Sequence, residues 1–114
     1  MVKRGEIWVG NLNPNRGAEV GKVRPVLIIQ EDRLTDAGLP TIVVLPLTTQ
    51  IRPALQHLRV LIRARDRLQQ DCQVMVDQPR TLDRGRLGEG PLTHLAAEEL
   101  AQVNQALQAL LGWY

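Results

Sequence analysis

Polar side chains that could carry chemistry lie where apolar stretches of the sequence begin or end. They are Glu19, Lys22 and Arg24 before one stretch, Thr48, Thr49 and Gln50 after a second, and Asp77, Gln78, Arg80 and Thr81 within a third region. If folding brings these positions together, the cleft between them holds a carboxylate, at least one guanidinium and a hydroxyl. A carboxylate can accept a proton, and the other two groups can stabilise negative charge on a phosphate. The pattern therefore indicates phosphate chemistry at a set of strand ends.

Each of these residues also has an ordinary structural interpretation. Arg24 stands before Pro25 at the start of an apolar run, where an arginine most often forms a structural ion pair. Thr48 and Thr49 suit any β-strand by propensity alone, and Asp77 could accept backbone N–H groups in a turn. Only the combination of these positions favours a functional site.

Other kinds of site find little support. His57 and His94 lie far apart, with no cysteine or carboxylate at metal-ligand spacing, so no metal site is expected. The single cysteine, Cys72, stands among strand residues without an evident base and is typical of a small core residue. No glycine-rich phosphate loop follows any predicted strand. We therefore expect neither a metal nor another cofactor.

The apolar stretches that would position the polar groups predict a mostly β architecture. Five strands, separated by Gly, Pro, Asn and Asp, are predicted over residues 6–12, 24–30, 41–49, 58–64 and 71–82. The continuous apolar run from Val26 to Ile29 predicts a second strand that is buried on both faces. Pro46 predicts a bulge or an edge position late in the third strand.

A change of hydrophobic period near the end of the chain predicts a helix. Apolar residues recur at helical spacing at Leu100, Val103, Leu107, Leu110 and Leu111. We expect an amphipathic helix over residues 96–111, with Thr93 or Ala96 as its N-cap, although alanine is a poor capping residue. The prediction is a single α+β, mainly β domain over residues 1–114, whose sheet curls into a small barrel closed by a C-terminal helix.

The composition limits the choice of partners. The formal charge is +2 and nearly all positive residues are arginines, whose planar fork suits phosphate. The aromatic residues are only Trp8, Trp113 and Tyr114, which leaves few rings for stacking on bases. No apolar run approaches the length of a membrane span, so we expect a cytoplasmic protein.

The order of the sequence motifs resembles a known family. The segments "VKRGEIWVGNLNPNRGAEVGKVRPVLIIQ", "PLTTQ" and "VMVDQPRTLDRGRL" follow one another as in the MazF/PemK toxins of type II toxin-antitoxin systems. The resemblance implies an SH3-like or CcdB-like barrel of about five to seven strands. It also implies a homodimeric mRNA interferase, an endoribonuclease that needs no metal and cleaves single-stranded RNA at short sequences. Growth inhibition and a cognate antitoxin protein that blocks the RNA site are implied as well.

The resemblance also assigns site residues. The catalytic arginine of the family falls on Arg24, its catalytic threonine on Thr48, and the acidic residue of its "GSE"-like loop on Glu19, here in "GAE". In part of the family a second arginine stands two residues before Asp77, where this chain has Met75, so a mechanism that uses that arginine does not transfer.

Cleavage by attack of the ribose 2'-OH needs a proton acceptor, a proton donor for the leaving oxygen, and donors to the phosphoryl oxygens. Arginine is a poor base because its pKa is above ~12. We therefore expect Glu19 to accept the 2'-OH proton or position that group, and Arg24 to hold the phosphate and donate to the leaving oxygen.

Further residues are expected to bind RNA through hydrogen bonds and phosphate contacts, which predicts steep salt dependence. They are Arg16, Lys22, Thr49, Gln50, Arg52, Asp77, Gln78 and Arg80, with Arg84 and Arg86 as additional candidates.

Two other functions remain open at this stage. The related CcdB toxins bind DNA gyrase through a similar barrel with a tryptophan near the C-terminus, and this chain ends "LLGWY". A helix C-cap glycine, followed by a ring packed on the core or a dimer interface, is the favoured explanation of that ending. A noncatalytic binding barrel, in which the polar strand ends only form ion pairs, is the third possibility.

Overall fold

The computed structural model describes residues 2–113, which form a curled antiparallel sheet with a C-terminal helix. The strands are β1 (Glu6–Asn11), β2 (Val23–Ile28), β3 (Thr41–Thr48), β4 (Arg59–Ile62), β5 (Cys72–Met75), β6 (Arg80–Asp83) and β7 (Thr93–His94), and the helices are α1 (Asp32–Asp36) and α2 (Ala97–Leu111). The strand order is β4-β5-β3-β2-β1-β7, and β6 pairs with β3 beside this path. The predicted α+β, mainly β class and the first four predicted strands are confirmed.

The central strand β2 is buried on both faces, as its apolar run predicted. Val26 and Ile28 point into one hydrophobic cluster, and Leu27 between them points into another. All three side chains are completely buried. Because each such side chain contributes roughly 1.5–3 kcal/mol when removed from water, β2 is a rigid support for the polar residues at its start.

Strand β3 changes its neighbour on one side along its length. Residues 41–44 pair with β6, whereas residues 47 and 48 pair with β5. Pro46 lies between these two stretches and is paired on the other side with Val26. Proline has no N–H to donate to a neighbouring strand. A central strand such as β3 can therefore accept Pro46 at the point where its pairing with β6 has ended and its pairing with β5 has not yet begun. The predicted edge position is therefore wrong, because Pro46 lies in a central strand at a local gap in pairing.

The predicted fifth strand, over residues 71–82, is in fact two strands. β5 ends at Met75, a turn with Pro79 follows, and β6 begins at Arg80. Two short elements were also missed, namely α1 inside a predicted loop and β7, which contains Thr93. Thr93 is therefore not a helix cap.

Helix α2 starts after Ala96, which has no side-chain oxygen to cap it. Instead, the Glu99 carboxylate accepts a hydrogen bond of 2.8 Å from the Ala96 N–H. Val103 is completely buried against the sheet, but Leu110 and Leu111 are exposed, so the predicted apolar stripe is only partly covered. Within residues 2–113, no helix is long and apolar enough to cross a membrane.

The Glu99 carboxylate also forms an ion pair with Arg65. Its oxygens accept bonds of 2.6 and 2.8 Å from the Arg65 guanidinium, which also donates to the His94 carbonyl. These bonds to Arg65 lower the pKa of Glu99 below its usual value of 4.5. The pair joins the start of α2 to the segments around β7 and the loop after β4.

We expect Glu99→Gln to lower the free energy of unfolding by about 2 kcal/mol at neutral pH, because charge-assisted hydrogen bonds are lost. The pKa of Glu99 is lower in the folded protein than in the unfolded chain. At pH values between the two, the unfolded chain therefore binds more protons. The extra unfolding free energy of the wild type should therefore be complete above the usual pKa of a carboxyl group. It should disappear as the pH falls through the lower folded-state pKa of Glu99. Urea unfolding at neutral and acidic pH measures this change. Glu98→Gln, an exposed residue in the same helical turn, is the charge-matched control, and an equal loss in both variants would contradict the ion-pair explanation.

Candidate functional site

An open groove of about 690 Å³, here called the site groove, lies at the start of β2 and the end of β3. These strands are antiparallel neighbours, so the beginning of one lies beside the end of the other. The groove is lined by Asn15, Glu19, Val20, Gly21, Lys22, Val23, Arg24, Pro25, Leu47, Thr48, Thr49, Gln50, Arg52, Leu55, Arg59 and Met75. The fold thus brings together two of the three polar groups that the sequence singled out.

Arg24 connects the two sides of the groove. Its Nε donates to the Gly21 carbonyl at 2.9 Å, and its Nη1 donates to the Leu47 carbonyl at 3.3 Å. These bonds use only part of the five N–H donors of a guanidinium. Burial lowers the pKa of Arg24 below its usual range, and an arginine in this position still acts as a cation. The side chain is therefore oriented and retains donors for an anion.

Thr48, at the end of β3, is nearly buried and has a fixed hydroxyl. Its Oγ1 accepts a hydrogen bond of 3.1 Å from the Gln50 N–H. Because the oxygen serves as the acceptor, the hydroxyl hydrogen can be donated to a bound group. Thr48 therefore supplies a second donor on the Arg24 side of the groove.

Glu19 lies on the loop between β1 and β2, and its carboxylate orders that loop. Its Oε1 accepts a hydrogen bond of 2.7 Å from the Arg16 N–H, while the Glu19 N–H donates to the Arg16 carbonyl at 3.0 Å. At Gly21, a Cβ atom would come within 2.1 Å of the Asn15 Oδ1, so any larger residue requires the Asn15 side chain to move. The carboxylate is exposed to solvent and lines the groove from a loop of fixed shape.

Two arginines from outside the loop hold it in place through its backbone. Arg80 donates to the carbonyls of Leu12, Pro14 and Val20. Arg86 donates to the carbonyls of Asn11 and Asn13. Because both guanidiniums already donate hydrogen bonds to main-chain carbonyls, their main role is to hold the loop in position.

The remaining predicted residues divide into two groups. Lys22, Thr49, Gln50 and Arg52 line the site groove, and the Arg52 Nη2 donates to the Gln50 Oε1 at 3.3 Å. Gln78 and Arg80 line a smaller neighbouring pocket of about 170 Å³ that also contacts Glu19. Arg16 and Asp77 are exposed and line neither cavity.

Sequence reasoning missed Arg59, the first residue of β4. Its alternation with Val60 and Ile62 indicates only that the side chain leaves the apolar face of β4. This side chain lies beside the site groove because β4 pairs with β5. The sequence of β4 alone does not indicate which strand it pairs with. Asn15, Leu55 and Met75 were missed as lining residues for the same reason.

The charged groups of the groove suit an anionic ligand. Lys22, Arg24, Arg52 and Arg59 are positive, and Glu19 is the single carboxylate among the lining residues. Such an arrangement can bind a phosphate and accept a proton beside it. Across residues 2–113, no group of three or more His, Cys, Asp or Glu side chains is placed to hold a metal ion.

Comparison with known proteins gives consistent matches over nearly the whole chain. Residues 3–111 match the family described as PemK-like, MazF-like toxin of type II toxin-antitoxin system. The chain is 36% identical to an endoribonuclease MazF of Staphylococcus saprophyticus over 113 residues, covering 98% of this chain and 92% of that protein.

Solved structures agree with this match. MazF from Deinococcus radiodurans superposes with a TM-score of 0.82 at 26% identity, over 97% of this chain and 96% of the other. A MazE-MazF structure from the same organism gives 0.77 at 25% identity, over 99% and 97% of the two chains.

Proposed function

Because this chain belongs to the PemK-like, MazF-like toxins of type II toxin-antitoxin systems, we propose that it cleaves single-stranded messenger RNA at short recognition sequences without a metal ion. It is an endoribonuclease toxin of a toxin-antitoxin pair. The observation that supports the proposal is the site groove itself, because Arg24, Thr48 and Glu19 all line this one cleft.

The proposed reaction is an internal transfer of the phosphoryl group. The ribose 2'-oxygen forms a bond to the adjacent phosphorus as the bond from phosphorus to the 5'-oxygen breaks. The products are a 2',3'-cyclic phosphate on one fragment and a 5'-hydroxyl on the other. The 2'-OH loses one proton and the leaving 5'-oxygen gains one, so protons balance over the step. DNA lacks the attacking group, so the chemistry itself selects RNA.

Each residue has a proposed role in this step. Arg24 binds the oxygens of the phosphate with its remaining N–H donors and donates a proton or hydrogen bond to the leaving oxygen. Thr48 donates its hydroxyl hydrogen to the same phosphate. Glu19 accepts the 2'-OH proton or positions that hydroxyl. An arginine pKa lies far above neutral pH, which favours the carboxylate over Arg24 as the proton acceptor.

Other predicted residues would bind the RNA on either side of the cut. We propose that Lys22, Thr49, Gln50 and Arg52 contact bases and phosphates within the groove. Arg16, Asp77 and Gln78 would be reached by RNA that extends past Glu19. We assign Arg80 to positioning of the loop that carries Glu19, because it donates to three carbonyls of that loop.

We propose that the toxin acts as a homodimer and that a cognate antitoxin protein covers the site groove. The MazE-MazF structure from D. radiodurans, which has a TM-score of 0.77 with this chain, provides the precedent. An antitoxin segment that lies in the groove would be favoured by negative charge, since the groove has an excess of cations.

We expect the purified protein to cut a long single-stranded RNA at discrete positions in excess EDTA, and each cut to leave a 5'-hydroxyl. Mapping of the cut ends gives the recognition sequence. A copy of one mapped site with a 2'-deoxy nucleotide at the attacking position should resist cleavage. Cleavage that stops in EDTA and returns with added metal would refute metal independence, and uniform degradation would refute sequence specificity.

The gyrase-binding alternative retains one supporting observation, which is an exposed aromatic ring. Gly112 adopts a left-handed conformation (φ 73°) at the end of α2, as expected of a C-cap. The Trp113 ring, however, is 70% exposed and does not pack on the core. Absence of RNA cleavage together with inhibition of DNA gyrase, lost on Trp113→Ala, would establish that alternative.

A further inference from the structure

Arg59 lies between two cavities of the molecule. One is the site groove, and the other, here called the second groove, is an opening of about 610 Å³ between β4 and α2. Arg59 and Gln73 line the second groove together with His57 and residues of α2, including Gln102 and Gln105. Among residues 2–113, Arg59 is the one charged residue that lines both cavities. Its side chain therefore lies where a ligand would pass from one groove into the other.

Arg59 is half-buried, and one nitrogen of its guanidinium is left without a partner among the residues that the structure describes. Its Nε is buried and has no hydrogen-bond partner, the single such side-chain atom found in residues 2–113. On the neighbouring strand it is paired with Met75, which is buried and offers no acceptor oxygen in its side chain. The half-buried Arg24 and Arg65, by contrast, both donate to protein oxygens. A buried donor without a partner is unfavourable, and a buried unsatisfied group in a native protein calls for a specific explanation.

We propose that Arg59 binds a backbone phosphate of the RNA at the point where the strand leaves the site groove and enters the second groove. This inference rests on the proposed ribonuclease function. A phosphate is a suitable anionic acceptor, because the arginine fork matches two of its oxygens. Since Nε is buried in the free protein, the Arg59 side chain must turn toward the groove for Nε to reach the phosphate. A strand held in the site groove by Arg24 carries further phosphates beyond the cut, and Arg59 is the cation at that exit. Arg59 thereby makes the recognised RNA segment longer than the site groove alone.

Arg59→Met is the informative substitution, since methionine keeps an unbranched apolar stem and removes the charge. We expect binding of an uncleavable oligoribonucleotide, with 2'-deoxy at the mapped cut, to weaken by about ten- to a hundredfold. The slope of log affinity against log salt should fall by about 0.7, the contribution of one phosphate contact on a single strand. Thermal stability should be unchanged or increased, because an unpartnered buried donor is removed. Arg59→Lys should recover part of the affinity.

Arg63→Met is the matched control, because Arg63 follows the same strand and is exposed beside Asp71. We expect this control to retain wild-type affinity, salt slope and cleavage.

A second copy of the chain could instead place a carboxylate against Arg59, and sedimentation equilibrium of Arg59→Met detects this. If dimerisation weakens, or stability and affinity fall together, the phosphate assignment is overturned. An Arg59→Met protein with wild-type affinity and salt slope overturns it as well, provided that wild type cuts RNA; failure of wild type to cut refutes the proposed function instead.

Discussion

Arg24→Ala is expected to lower the rate of RNA cleavage by about a thousandfold or more, because it removes the proposed principal donor to the transferring phosphate. The rigid burial of β2 holds this side chain, and its bonds to the Gly21 and Leu47 carbonyls fix the fork in the groove. Arg24→Lys keeps a positive charge but loses the planar fork, so we expect it to restore only a small part of the rate. Single-turnover cleavage of an oligoribonucleotide containing a mapped cut measures the chemical step directly.

A control must separate chemistry from the placement of the loop, since Arg24 also bonds to it. Arg86→Ala removes donors to the carbonyls of Asn11, at the end of β1, and Asn13, in the same loop, and Arg86 is outside the residues that line the site groove. We expect Arg86→Ala to lower the rate by no more than about tenfold, in line with the loss of exposed hydrogen bonds. Equal losses in the Arg24 and Arg86 variants, with circular dichroism showing both folded, would mean that Arg24 only holds the loop.

Glu19→Gln is expected to reduce cleavage by about a hundredfold or more if the carboxylate accepts the 2'-OH proton, since general base catalysis contributes on the order of 10² to 10⁴. Glutamine retains an oxygen that can accept the bond from the Arg16 N–H, so the loop should keep its shape. Removal of a general base also changes the pH dependence of the rate, and pH-rate profiles of wild type and variant under single-turnover conditions compare the two.

A different result would reassign Glu19. If Glu19→Gln keeps both the wild-type rate and the pH profile, the carboxylate is not the base. A rise in the KM with an unchanged kcat would instead identify Glu19 as a residue that positions the RNA. Gln78→Ala, at the small pocket beside Glu19, tests whether that positioning extends past the groove.

The regular parts of the fold could be predicted because side-chain periodicity reports which faces are buried. The run at Val26 to Ile28 correctly indicated a strand covered on both sides. The same signal cannot show when a strand changes its neighbour. Residues 71–82 contain apolar residues on both sides of Pro79, and the chain there turns from one end of β3 to the other. α1 spans only five residues, which is too short to establish a helical period.

The sequence could predict the site residues that lie at the ends of strands. It could not predict those that reach the groove only because of which strands pair side by side. Arg24 and Thr48 were identified because each stands beside an apolar run, and antiparallel pairing of those runs brings the two side chains to one groove. Arg59 reaches the groove through a register that places it opposite Met75. Asp77 shows the reverse case, since its sequence position beside β5 suggested a place in the groove that the turn before Pro79 does not provide.

The bonds from Arg80 and Arg86 to the loop between β1 and β2 bear on how toxins of this kind can diversify. Every acceptor in those bonds is a main-chain carbonyl, so the anchoring does not depend on which side chains the loop carries. Mutations that alter loop side chains can change the contacts offered to bases while Glu19 keeps its place. If the loop contacts RNA bases as proposed, substrate preference can evolve separately from the catalytic framework, and a single scaffold can give rise to toxins with different target sequences.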